Sequence, residues 1–142
     1  MMIMSRDVVM ERVQNLVRYF VCRRLSGDLI RLKAMYDYFV NNLSPSEIAG
    51  KYGIHKTVVS GMVRRVIELA GKEWIARWVL RIFYRRLLGV DPIVVVVKSM
   101  RGSTYYCLIC SKAVRDPFIH VRTKHKDIVG GVLRAVLDGV RV

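Results

Sequence analysis

From Val9 onward, apolar residues return every three or four positions: Val9, Val13, Leu16, Val17, Phe20 and Val21. That period gathers them on one face of an amphipathic helix. Ser5 stands where an N-cap is needed, Asp7 falls in the first turn, and Gly27 ends the segment. A second helix is predicted from about Asp28 to Val40, with Leu29, Leu32, Met35, Tyr36 and Phe39 inward and Asn41-Asn42 as its stop. Ser44-Pro45-Ser46-Glu47 is a capping box with proline at the first helical position. Ile48, Ala49 and Tyr52 give that third helix an inner face, and Gly53 can take the left-handed conformation a tight turn requires. A fourth helix follows from His55 to about Leu69, with Val58, Val59, Met62, Val63 and Val66 inward. After Gly71, a fifth runs from Glu73 to about Leu88. Its apolar face is expected to hold Trp74, Ile75, Trp78, Ile82 and Phe83, with Arg77, Arg81 and Arg85 in a row on another side.

The period changes at Gly89–Pro92, the predicted domain boundary. Ile93 to Val97 is β-branched and reads as a strand; Met100 to Ser103 contains a glycine turn, and Thr104 to Cys107 reads as the hairpin partner. A helix is expected from about Pro117 through His120 and His125. Ile128 to Val142 then forms a helical tail that extends or follows it, docking on the body or on a second chain. The expected fold is therefore mainly α: a helical domain over 1–89, with its helix pair within 28–70, followed by a small ββα module with a C-terminal helix over 93–142.

Charge changes the picture. The chain of 142 residues carries a formal +14 and a pI near 10.3, with about +6 of that charge in residues 92–142. Self-repulsion of this size calls for a polyanionic partner, nucleic acid or an anionic membrane. The cations are threaded through the periodic segments instead of collected in a tail, which argues for a folded basic surface. No apolar run approaches the roughly eighteen residues of a membrane span, and Arg6, Asp7, Glu11 and Arg12 break any secretory pattern. Three cysteines are not a disulfide framework and fit a reducing cytoplasm, with Cys22 as ordinary core. Poverty in amides, with one glutamine and three asparagines, fits a thermophile.

The sharpest chemistry is Cys107-Leu108-Ile109-Cys110, nine intervening residues, and then His120 and His125. A Cys-x2-Cys knuckle brings two thiolates to one ion, and two histidines on a helix end complete a closed tetrahedral site. A closed site leaves no position for water or substrate, so one structural zinc per chain is expected. Strand, Cys pair, helix, His pair resembles the two-Cys, two-His zinc finger, with a gap shorter than that family's usual spacing. By that resemblance Tyr105, Val114 and Phe118 form a small finger core, and Arg115, Arg122, Lys124 and Lys126 are placed for phosphate contacts.

Residues 44–68 resemble the helix-turn-helix DNA-binding regulators of prokaryotes, of archaeal or archaeal-virus type. Ala49 stands at the small-residue contact, Gly53 in the turn, Ile54 after it, and Val59 and Met62 at later apolar positions. The resemblance implies that the helix beginning at His55 is a recognition helix presenting Lys56, Thr57, Ser60, Gly61 and Arg64, with Arg65 near the backbone. His55 and Gly61 depart from the family, which favours Ser or Thr at the cap and a long side chain at the reading position. Arg77, Arg81 and Arg85 either track phosphates or form a solvated face. The function expected is a DNA-bound transcriptional regulator, cytoplasmic and nucleoid-associated, with no membrane partner. The alternative is a ribosomal or other RNA-associated zinc protein. No enzymatic constellation is evident: there is no Ser-His-Asp set, phosphate loop or spare carboxylate pair.

Overall fold

The computed structural model describes residues 5–138. Five helices come first: α1 (Arg6–Leu25), α2 (Ile30–Phe39), α3 (Pro45–Tyr52), α4 (Lys56–Ala70) and α5 (Glu73–Leu88). Strands β1 (Val94–Ser99), β2 (Gly102–Cys107) and β3 (Lys112–Val114) form an antiparallel sheet in that order, followed by α6 (Pro117–Lys124) and α7 (Lys126–Asp138). The chain is mainly α with a small sheet after the helices, as its hydrophobic periods predict. Residues 139–142 of the expected tail lie outside the described residues.

Local chemistry sets the helix ends. The Ser5 hydroxyl accepts from the Val8 amide at 3.2 Å. Ser44 and Glu47 form the reciprocal capping box, with both hydrogen bonds at 3.2 Å. Gly53 takes φ 65°, a left-handed conformation that ends α3 and turns the chain into α4 three residues later. Gly27 has a stronger constraint. Its φ is 90°, and a Cβ there would stand 2.9 Å from the Val94 carbonyl oxygen. The α1–α2 turn thus rests directly on β1.

The core is built around α1, whose Leu16, Val17, Phe20 and Val21 are fully buried. It packs against α4, α5, α6 and α7. Each such side chain contributes roughly 1.5–3 kcal/mol by leaving water. Arg24, near the end of α1, is buried among carbonyls: Nε donates to Leu87 O at 3.0 Å, and Nη2 donates to Leu88 O at 3.1 Å and Val90 O at 2.8 Å. One cation therefore closes the C-terminus of α5, where the unpaired carbonyls and the helix dipole both favour it.

A second polar tie is Asp37 on α2. Asn41 Nδ2 donates to its Oδ1, while Lys51 Nζ and the Tyr52 hydroxyl donate to its Oδ2. Burial by itself would raise this carboxyl's pKa; the bonds from Tyr52, Lys51 and Asn41, with the Lys51 charge, outweigh burial and hold it below the usual range. Tyr52, partly buried and donating to that carboxylate, is pushed up to about 12. This tie fastens α3 to α2.

Several details depart from the periodic reading. Val58 is 42% exposed, so α4 buries a narrower stripe of Val59, Met62, Val66 and Ala70. In α5 the buried face is Ile75, Ala76, Val79, Leu80, Phe83 and Leu87, while Trp74 is 52% and Ile82 40% exposed. The expected face followed the large aromatics. Because α5 lies between α1 and α2, its small and aliphatic residues are the ones that allow close approach. The hairpin turns at Met100–Arg101, and β3, unpredicted, pairs with β2 through Tyr105↔Val114 and Cys107↔Lys112.

Candidate functional site

The four expected ligands meet. Cys107 ends β2, Cys110 lies in the turn toward β3, His120 is within α6, and His125 is its C-terminal cap. His125 Nε2 lies 3.4 Å from Cys107 Sγ, 3.3 Å from Cys110 Sγ and 3.2 Å from His120 Nε2, and His120 Nε2 is 3.5 Å from Cys110 Sγ. An ion bonded at about 2.0–2.1 Å to nitrogen and about 2.3 Å to sulfur needs tetrahedral edges of about 3.3 Å between nitrogens and about 3.5–3.6 Å between nitrogen and sulfur. The observed spacings fall within a few tenths of an ångström of those edges, so these four residues can hold a metal ion. All four ligand atoms lie within 4.8 Å of one another.

The knuckle has its own support. The Cys110 amide points at Cys107 Sγ at 3.5 Å, and the Ser111 amide donates to Cys107 O at 2.9 Å, with Ser111 itself at φ 56°. That left-handed residue reverses the chain into β3. Without a cation the two kinds of ligand behave oppositely: the thiol disfavours the thiolate that binds metal, whereas the imidazole favours the neutral form that binds metal. Burial, then the hydrogen bond and charge of Cys107, raise the Cys110 thiol; burial, then His125, Lys112 and Lys124, lower His120. A bound cation reverses the penalty on a thiolate.

One expectation about this site is corrected. The helix does not run through both histidines. Residues five apart on a continuous helix point about 140° away from each other, so both rings cannot face one ion. The chain breaks instead at His125, with φ −124° and ψ 39°, and α7 starts at the next residue. The His125 carbonyl accepts from the Val129 amide at 3.0 Å, which joins the break to α7.

The expected finger core is also rearranged. Tyr105 is exposed, and Phe118 packs edge-on to Tyr19 of α1, ring centroids 5.7 Å apart, with Arg23 over its face. Val94, Cys107 and Val121 are fully buried and belong to the same continuous core as α1. The helical tail docks on α1 and α5 through Val129, Leu133 and Val136. The metal site is therefore built onto the helical body, a packing no local pattern announces.

Of the residues expected at a nucleic-acid surface, Lys56, Thr57, Ser60, Arg64 and Arg65 are exposed on α4, opposite its buried stripe. The His55 side chain makes no capping hydrogen bond to the backbone of α4, but its Nδ1 lies 3.1 Å from Thr57 Oγ1. Gly61 faces open space, since a Cβ there would meet nothing within 4 Å. The arginine row of α5 is divided. Arg81 and Arg85 are exposed, but Arg77 is half-buried, donating to Phe39 O at 3.1 Å and to Glu73 Oε1 at 3.2 Å. Arg115, Arg122, Lys124 and Lys126 are exposed around the metal site. Sequence reasoning passed over Arg24 and Asp37, whose polar ties have no local signature. No helix of the described residues is long and apolar enough to cross a membrane.

In comparisons with known proteins, no family model, no curated protein and no solved structure matches this chain.

Proposed function

We propose that this protein is a site-selective binder of double-stranded DNA, acting as a transcriptional regulator, with α4 as the helix that enters the major groove. One observation carries the reading: α4 buries Val59, Met62, Val66 and Ala70 while Lys56, Thr57, Ser60 and Arg64 stand uncovered on its outer side. A helix seated by one face and basic on the other can present side chains to base edges. The net charge of +14 supplies the general attraction to phosphate. Zinc is the ion we assign to Cys107, Cys110, His120 and His125. Two thiolates with two imidazoles in a closed tetrahedron suit it, and its job there is to fasten the hairpin to α6. A nucleoid-associated place in the cytoplasm goes with this reading.

Selection of preferred duplexes from a random pool tests it. Lys56→Ala or Arg64→Ala should weaken a preferred site more than random DNA, by about 1–3 kcal/mol for a bidentate base contact. Equal weakening of both would reduce α4 to a phosphate contact. Structured RNA is the second reading, favoured by Gly61, which leaves the middle of the outer face of α4 without a side chain. Tighter binding of structured RNA than of any selected duplex at matched salt would put RNA first.

A further inference from the structure

We propose that the seam where α1, α4, α6 and α7 meet is a channel for the phosphodiester backbone of the bound duplex, with Arg18 at its centre. This rests on the DNA reading above and deepens it by assigning where the backbone runs. Two clefts, of about 190 and 360 Å³, lie along the seam and share Arg18, Cys22 and Arg122. The first adds Arg65 of α4, and the second adds Lys126, the first residue of α7. Four cations from four helices thus line one recess, and no carboxylate lines either cleft.

These cations are also unspent. Among the described residues Arg18 and Lys126 have no ion pair or hydrogen bond, and Arg122 has only the Phe118 ring, 5.5 Å away. Arg65 reaches Glu68 at a loose 3.8 Å with both side chains exposed, which is worth little in water. Like charges gathered in a recess are stabilised by a polyanion that displaces counterions. Spread over four helices, they suit a polymer better than a single small anion. The position fits the orientation of α4 as well. Arg65 is exposed on α4 and also lines the first cleft, so the proposed backbone path adjoins α4 at that residue. The metal site then has a second consequence, because holding α6 in place sets Arg122 and Lys126 opposite Arg18.

Salt titration of duplex binding by the full-length, metal-loaded protein tests the channel, using a selected and a random duplex. Arg18→Ala and Arg122→Ala should each lower the steepness of log affinity against log salt by about 1 and weaken both duplexes alike. Arg18→Lys should keep the wild-type slope, and Arg101→Ala, at the hairpin tip, should match wild type. Arg18 and Arg122 are exposed, and unchanged thermal melting of each variant verifies that the fold is intact. Wild-type affinity and slope in both alanine variants, alongside weakening by Lys56→Ala, would overturn the channel and leave the DNA reading standing. Absence of salt-dependent duplex binding by the wild type would remove both. An Arg18→Ala effect confined to structured RNA would overturn the channel as a duplex site.

Discussion

The Arg23 guanidinium carbon lies 3.8 Å from the centroid of the Phe118 ring. This places a cation of α1 over the face of an aromatic residue of α6, with Tyr19 edge-on to the same ring. Arg23 Nε is buried without a hydrogen-bond partner, and the nearest carboxylate, Asp28, is 3.8 Å from Nη1. The ring face therefore supplies much of the environment of that charge. Phe118, expected inside a small local core, instead docks α6 on the helical body.

Replacing Phe118 by alanine should destabilise the metal-loaded protein by about 2–3 kcal/mol, less than a fully buried phenylalanine because the ring is half-exposed. A double-mutant cycle of Arg23→Met with Phe118→Leu, read by denaturant unfolding, should give a coupling of about 0.5–2 kcal/mol. Additive effects would show that the contact contributes packing alone.

Metal removal should act on one part of the molecule. Elemental analysis of the purified protein should find one zinc per chain, and Cys107→Ser or His125→Ala should abolish it. Chelation should then cost amide protection in β1 to α6, because the four ligands are what join the hairpin to that helix. Helices α1–α5 should stay protected, since Leu16, Phe20, Leu32 and Leu80 form a core that needs no ligand. Full zinc content in a Cys107/Cys110 double replacement would contradict the assignment.

Gly61→Arg probes the outer face of α4 without disturbing its inner one. The position is open, and Gly in a helix interior is itself unfavourable by roughly 1 kcal/mol. The variant should melt at or slightly above the wild-type temperature and should shift the preferred sequence or raise general duplex affinity. Unchanged selectivity together with unchanged affinity would place the middle of α4 away from the groove.

Asp37 should govern part of the acid limb of stability. Its folded pKa lies below the unfolded value. The stabilisation is therefore complete above the ordinary carboxylate pKa of about 3.9 and is lost as pH falls from there through the folded value. Asp37→Asn should lower stability at neutral pH and flatten that limb, as followed by urea unfolding from pH 7 to pH 3. Tyr52 has the opposite sign: its folded pKa of about 12 lies above the unfolded one. Tyr52→Phe should accordingly lose stability that the wild type keeps up to alkaline pH, most visibly below about pH 10.

Much of the architecture could be read from short-range pattern. Five helices, their order and most of their ends follow from apolar spacing and from caps such as Ser5 and Ser44-Glu47, because a helix period and a cap are decided within a few residues. The ligand set Cys107, Cys110, His120 and His125 was equally legible, since few residue types bind such an ion and their order constrains which can meet. The chain by itself also determined the basic surface, because charge is a property of composition.

Tertiary structure alone decided which side of each helix faces inward and what the hairpin and α6 rest on. The rotation of α5, which leaves Trp74 and Ile82 outside, depends on α1 and α2 flanking it at once. The break at His125 is imposed by the geometry of one ion-sized site on residues whose helical spacing would separate them. Arg24 and Asp37 carried no local signal because each bonds groups distant in sequence, and Arg18 carried none because only the fold brings it beside other cations. Arg24 reaches the carbonyls that end α5, Asp37 gathers donors from α3, and Arg18 shares a recess with residues of α4, α6 and α7. Side-chain period and capping are local energies, whereas packing direction and shared electrostatics exist only once distant segments touch.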